Sequence, residues 1–273
     1  MNTSRCNTCG EKASIYMRQH RLPLCKTHYL DWFVEQTERA IKKYSMFNHH
    51  DKLLVAVSGG KDSLSLWDVL WRLGYQADGL YINLGIEGED QYSLQSKNYT
   101  LTFAAERNLR LHIFDVQAET GKNILQLYKQ SQRRKGRPCS VCGVVKRHIM
   151  NQITREFGYG VLATGHNLDD EAAVLFSNTL SWSVEYLARQ FPVLEEEEGF
   201  ARKVKPFCRF YERETAAYAL LRGIKYIEEE CPFSDNSTSL YYKRLLNQLE
   251  DAQPGTKIRF FSNFVEARKK STI

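Results

Sequence analysis

Residues 53–67, LLVAVSGGKDSLSLW, decide the fold. The apolar run Leu53–Val57 reads as a buried strand, the two glycines as a tight turn, and residues 62–73 as a helix. Glycines let the backbone approach an anion closely, and a helix N-terminus adds free N–H groups and a favourable dipole. Ser58 and Ser63 supply hydroxyls and Lys61 a positive charge. Asp62 either supports a magnesium ion or caps the helix. The loop is shorter than the G-x-x-x-x-G-K-S/T loop that cradles a transferable terminal phosphate. The plain alternative is an ordinary strand-to-helix turn.

Short apolar runs at 79–84, 111–116 and 161–164 alternate with helical patterns at 93–107, 141–156 and 168–180. That alternation predicts an α/β fold with a doubly wound parallel sheet. A second strand-to-helix junction, ATGHNLDDEA at 163–172, would reach the same sheet edge, where open α/β folds bind ligands. There Asp169 and Asp170 suit magnesium, or one of them caps the helix. Residues 31–48 read as an amphipathic helix, LEEEEG at 194–199 as a solvated acidic loop, and 211–223 and 239–252 as further helices.

Cysteine grouping points to metal chemistry. Cys6-x2-Cys9 and Cys25-x2-His28 are two close pairs separated by fifteen residues, a spacing that suits a closed tetrahedral zinc site in a module too small for a core of its own. His20 is then a surface residue. Cys139 and Cys142 form a third close pair, which by spacing alone is a redox dithiol, half of a zinc site or part of an iron–sulfur cluster. Cys231 is the better candidate to complete it, and Cys208 reads as a packed thiol. Lys146 lies one turn beyond Cys142 and either faces the same pocket or is solvated.

With 42% hydrophobic and 26% charged residues, the 273-residue chain has the composition of a soluble globular protein of one large domain and a small module. No apolar run approaches the roughly 18 residues of a membrane span, and MNTSRCNTCGEK is unlike a secretory signal. A cytoplasmic location with no membrane association follows by default, and seven cysteines in a reducing compartment argue against a disulfide framework. The net charge of +6 is clustered, at Arg133, Arg134, Lys135 and Arg137, at Lys146 and Arg147, at Arg202, Lys203 and Lys205, and at Arg268, Lys269 and Lys270. Such clusters are either solvated surface or a footprint for a polyanion.

SGGKDS resembles the PP-loop of the N-type ATP pyrophosphatases, which cleave ATP to AMP and pyrophosphate. Together with the N-terminal Cys/His set, PCSVCGVVKRH, ATGHNLDDEAA, VKPFCRFYERETAAYALLRGI and EECPFS, it resembles the tRNA 2-thiolation enzymes of the TtcA/TtuA group, most closely the TtuA type. The likeness covers about 250 of 273 residues. It implies four segments: a zinc-binding module at 1–30, a linker helix at 31–48, a PP-loop catalytic domain at 49–200, and a C-terminal extension at 201–273 that completes the domain and contacts tRNA. It also implies that Cys139, Cys142 and Cys231 hold a 4Fe-4S cluster whose fourth iron binds incoming sulfur. Ala56, Val57, Ser58, Gly59, Gly60, Lys61, Asp62, Ser63, Ile82, Gly165 and Asp170 are then at the nucleotide or its Mg2+, and Lys146 near the reacting groups. The implied reaction adenylates the C2 oxygen of a uridine, 5-methyluridine of the T-loop in the TtuA type, and sulfur then displaces AMP. The implied partners are tRNA, a ubiquitin-like sulfur carrier or inorganic sulfide, and a second copy of the chain.

One departure is plain. TtuA-type enzymes commonly carry a second zinc set of two C-x2-C pairs near the C-terminus, and no cysteine follows Cys231 here. The readings to be weighed against T-loop thiolation are thiolation of cytidine or another uridine, a PP-loop amide-forming ligase, and a non-catalytic zinc RNA-binding module.

Overall fold

A computed structural model of the protein describes residues 4–86, 91–131, 138–229, 231–233 and 238–270. An antiparallel pair, β1 (Ile15–Met17) and β2 (Leu22–Leu24), opens the chain and leads into α1 (Lys26–Lys43). The helix expected over 31–48 thus starts earlier, next to the second cysteine–histidine pair, and ends at Lys43, where Ser45 adopts φ 48°. It is no free-standing linker helix, because Tyr29, Phe33 and Ile41 are buried in the main core. Phe33 stacks on Tyr218 at 4.5 Å, and the Tyr29 hydroxyl donates to the Glu214 carbonyl at 2.7 Å.

The body follows as β3 (Leu53–Val57), α2 (Lys61–Arg72), β4 (Ala77–Asn83), α3 (Tyr92–Glu106), β5 (Leu111–Asp115), α4 (Val116–Thr120), α5 (Ile124–Gln130), α6 (Pro138–Glu156) and β6 (Val161–Thr164). After it come α7 (Leu168–Leu180), α8 (Val184–Arg189), β7 (Val193–Leu194), β8 (Lys203–Val204), α9 (Glu212–Arg222), α10 (Thr238–Ala252) and α11 (Thr256–Lys269). The sheet order is β5-β4-β3-β6-β8-β7, parallel except for the β7–β8 pair. The expected doubly wound parallel sheet is present, with an antiparallel edge pair added because a short connection between neighbouring strands makes a hairpin and not a crossover.

Strand β3 is central and buried on both faces, which is why it reads as an uninterrupted apolar run. Leu53, Val55 and Val57 join the core under α2, while Leu54 joins a second core with Leu80, Leu162, Ile149 and Ile153 under α6. The period of two thus puts helices on both faces. Trp67, fully buried, lies against β4 because Gly79 has no side chain: a Cβ there would sit 2.5 Å from the indole. Chain direction across the sheet reverses between β3 and β6, the switch point at whose carboxyl ends such sheets bind ligands. Both glycine motifs sit there. Helices α10 and α11 pack on α7, and α9 packs on α2 and α1. Among the described residues no helix is long and apolar enough to cross a membrane.

Candidate functional site

The phosphate loop is held in shape by its own serines. Ser63 Oγ accepts from the Ser58 backbone N–H at 3.1 Å and donates to the Gly60 carbonyl at 3.0 Å, with Ser58 Oγ 3.3 Å away. Gly59 has φ 76°, and a Cβ on it would lie 2.4 Å from the Ser96 carbonyl oxygen. A Cβ on Gly165 would lie 2.9 Å from Asp62 C and Ser63 N, so the two motifs meet backbone to backbone. Asn167 caps α7 through a reciprocal pair with Asp170, each side chain accepting the other's backbone N–H at 3.1 Å. Asn167 also reaches Asp62 at 3.4 Å, and Thr215 Oγ1 donates to the same Asp62 oxygen.

A chain of charges closes the mouth of this loop. Lys61 Nζ lies 3.0 Å from Asp62 and 2.8 Å from Glu212, and Lys243 Nζ lies 3.2 Å from Glu212 and 2.6 Å from Asp170. Burial works against both ammonium groups, but the carboxylates outweigh it and hold Lys61 and Lys243 above the usual lysine range. Burial also opposes ionisation of Glu212, yet Lys243 and Lys61 bring it down to about 2. At Asp62 burial wins and the carboxyl is pushed up despite Lys61. Asp169 does not face this mouth: it is buried, pairs with Lys257 at 2.5 Å and accepts the Glu212 N–H at 2.8 Å. Its oxygens are committed to holding the C-terminal helices, whereas those of Asp170 face Lys243 and the Asn167 N–H at the mouth.

A cavity of about 100 Å³ lies between the strand ends and α6, bordered by Ala56, Val57, Ser58, Ile82, Tyr92 and Lys146. Of the two readings of Lys146, the structure selects the pocket. Cys139 and Cys142 occupy successive positions of one face of α6, with Lys146 and Met150 continuing that face. Burial pushes the Cys142 thiol up; Lys146 opposes this, and Cys231 and Cys139 add to it. Tyr92 is pushed up to about 12 by burial and by Cys231. Cys139 Sγ donates to the Phe233 carbonyl at 3.3 Å, and Cys142, Cys231 and Phe233 pack on the α6 core. Cys139, Cys142 and Cys231 form no disulfide and are partly accessible, and Cys142 feels the other two thiols and Lys146, a donor set whose chemistry fits an iron–sulfur cluster. Cys208 takes no part: it is fully buried, and burial pushes its thiol up to about 12.

The N-terminal ligands also converge. His28 Nδ1 is 3.5 Å from Cys6 Sγ and 3.2 Å from Cys25 Sγ, Cys9 and Cys25 sulfurs are 3.8 Å apart, and all four ligand atoms fall within 4.8 Å. A tetrahedral zinc with sulfur at about 2.3 Å places its sulfurs roughly 3.8 Å apart, so the set fits that ion. Backbone N–H groups at Cys25, Cys9 and Thr8 outweigh burial and bring the Cys6 thiol down to about 5. His20 is exposed, as expected, with its ring tilted against Trp32 at 5.5 Å and Nε2 3.2 Å from Glu214.

Glu212, Thr215 and Lys243 are at the site although the sequence marked none of them. Glu212 and Thr215 lie inside the ERETAAYALLRGI stretch that carried a family likeness, whereas Lys243 sits in an unremarkable helical pattern. The basic group Arg133, Arg134, Lys135 and Arg137 lies outside the described residues.

Residues 5–30 match the family described as 2-thiouridine synthetase TtuA, N-terminal LIM domain, and residues 32–248 match the PP-loop domain. The tRNA-5-methyluridine(54) 2-sulfurtransferase of Thermus thermophilus is 53% identical over 96% of this chain and 79% of its own length. Its counterpart in Pyrococcus horikoshii is 40% identical over 97% of this chain and 83% of its own. The structure of U34-tRNA thiolase NcsA from Methanococcus maripaludis with its 4Fe-4S cluster superposes with a TM-score of 0.84 at 25% identity, covering 98% of this chain and 88% of that one. The loop, the cysteine sets and these likenesses agree, and the chain belongs to the PP-loop family, among its TtuA-type tRNA 2-sulfurtransferases.

Proposed function

We infer that this chain is an ATP-dependent tRNA 2-sulfurtransferase whose target is 5-methyluridine of the T-loop. The observation that carries the reading is proximity: the phosphate loop, Tyr92 and Lys146 line one cavity, and Cys142 and Cys231 lie near enough to Tyr92 and Lys146 to shift their neighbours' charge. A nucleotide-activating loop needs no thiols for amide formation, and a non-catalytic zinc module needs no such loop. The T-loop target rests on the relatives at 53% and 40% identity.

ATP sits with its polyphosphate on residues Ser58 to Ser63 and its base and ribose along Ala56, Val57 and Ile82, next to Gly165. Asp170 and Asp62 would supply hard oxygen ligands to a Mg2+ ion accompanying the nucleotide. The uridine C2 oxygen attacks the α-phosphorus, the bond to pyrophosphate breaks, and the base loses its N3 proton. Lys61 and Lys243 take the charge that gathers on the departing pyrophosphate. Lys146 stands beside the reacting C2 and steadies the negative charge that sulfur brings to it. When AMP leaves it carries the former C2 oxygen away, and the base regains its proton as the thiocarbonyl forms. Cys139, Cys142 and Cys231 would hold the 4Fe-4S cluster, which supplies a Lewis-acid iron for the sulfur. Cys6, Cys9, Cys25 and His28 hold Zn2+ in a closed, structural site.

The same reading includes delivery of sulfur by a ubiquitin-like carrier or as sulfide, a cytoplasmic location, and a homodimer. The exposed apolar side chains Leu180, Trp182, Val184 and Tyr186 provide a surface for the second copy. The test is anaerobic reaction of 5-methyluridine-containing tRNA with ATP, Mg2+ and sulfide, followed by nucleoside analysis. 2-Thio-5-methyluridine is expected; 2-thiocytidine, or thiolation at position 34 alone, would sink the T-loop assignment. Iron and sulfide content unchanged in Cys231→Ser would overturn the ligand set.

A further inference from the structure

Behind α6, away from the catalytic cavity, lies a larger one of about 670 Å³ between α6, α8, the β7–β8 hairpin and the end of α11. Met150 borders both cavities, so α6 is their common wall. Since a helix with its side chains is about 10–12 Å across, one flexible polymer can occupy both at once.

Among the described residues, two cations in this cavity have no ion-paired carboxylate. The Arg268 guanidinium packs over Phe191 at 4.8 Å from the ring centre, yet its Nη1 is buried with no hydrogen-bond acceptor. Lys203 has no ion pair or hydrogen bond among the described residues. Burial, then Lys205 and Arg147, draw its ammonium down to about 8 despite Glu171, whose carboxylate is itself held by Lys205 at 2.7 Å. A buried charge without a counter-ion destabilises a fold unless a ligand supplies one. Arg147, Arg189 and Lys269 add exposed positive charge at the rim. Against them stand Glu195, which is already held by Arg202 at 2.8 Å, and Glu197. Apart from Asn151 the remaining walls are apolar, and the Phe200 ring is 56% exposed, a free face for a flat group.

Unpaired cations beside an exposed aromatic face suit a phosphate joined to a base. We propose that this cavity binds one nucleotide of the tRNA, other than the one thiolated, with its phosphodiester on Lys203 and Arg268 and its base on Phe200. The proposal rests on the reading of the chain as a tRNA-modifying enzyme. Continuity across α6 favours RNA over a free nucleotide, which would have no tie to the reacting base.

The test measures tRNA affinity by fluorescence anisotropy over a range of salt concentrations, for wild type, the double variant Lys203→Gln/Arg268→Gln, and Phe200→Ala. The double variant is expected to bind tRNA about tenfold or more weakly and to lower the slope of log affinity against log salt by roughly 1, with Mg-ATP binding unchanged. Phe200→Ala, at an exposed side chain that leaves the fold intact if the double variant does not, is expected to weaken binding severalfold without changing the slope. Wild-type affinity and slope in either correctly folded variant overturn the proposal. If wild type itself neither binds nor thiolates tRNA, the functional reading has failed and not this site alone.

Discussion

Lys243 of α10 lies 2.6 Å from Asp170, in the first turn of α7, and so ties the C-terminal helices to the second nucleotide motif. The same ammonium reaches Glu212, which reaches Lys61 of the phosphate loop. One carboxylate thus rests between two cations where a polyphosphate would lie.

On the proposed function, charge at this mouth governs nucleotide affinity. Lys243→Met removes a charge-assisted contact and is expected to weaken ATP binding by about tenfold or more. Glu212→Gln frees both lysines and is expected to bind pyrophosphate at least as tightly as wild type; calorimetric titration compares them. Because the Glu212 carboxyl is lowered to about 2, its ion pairs stabilise the fold fully above the unfolded value near 4.5 and are lost as pH falls toward 2. Urea midpoints of wild type and Glu212→Gln should therefore converge on acidification through that window.

Lys203 carries the opposite sign. Its folded value of about 8 lies below the unfolded 10.5, so the folded state binds fewer protons between them and stability rises with pH there. Lys203→Met is expected to be more stable than wild type at pH 7, and the gap should close as pH rises from 8 to 10.5. Thermal melts at fixed ionic strength check this; a gap that widens with pH would contradict it.

Gly165→Ala tests the contact between the two motifs. Its Cβ would lie 2.9 Å from backbone atoms of Asp62 and Ser63, which cannot rotate away as a side chain would. The start of α2 must shift, and ATP binding should weaken by an order of magnitude or more while the chain remains folded by circular dichroism.

Metal removal should be felt far from the metal. Helix α1 starts beside Cys25 and carries Tyr29 and Phe33 into the main core. Chelation, or Cys25→Ser, is expected to lower the melting temperature of the whole chain in one cooperative transition, with one zinc released per chain by colorimetric assay. A separate early transition of the first thirty residues would contradict this.

Self-association can be read at Trp182, 73% exposed. Trp182→Glu is expected to shift a dimer to monomer in light scattering; an unchanged mass would reject this surface.

The sequence reading was sharpest where local chemistry repeats in one dimension. Strands β3 and β6 were bounded to the residue, because an apolar run buried on both faces stops at a glycine motif. The metal-ligand set was legible because two close pairs leave few other purposes for those residues. The start of α1 was missed because its first turn carries the His28 ligand, and the apolar stripe is clear only further on. The β7–β8 hairpin is too short to show a period. Glu212 and Lys243 were invisible for a different reason: an ion pair between distant helices leaves no spacing rule along the chain, and each residue by itself looks like solvated surface.

Helix α6 carries Cys139, Cys142, Lys146 and Met150 along one side. On the proposed function it therefore works as a ruler, fixing how far the thiols, the lysine and the second cavity stand from one another. A single-residue insertion between Cys142 and Lys146 would turn everything beyond it by about 100°. Both halves could stay helical and stable while the thiols and the lysine no longer faced the same substrate. Length within this segment should thus tolerate far less change than its composition.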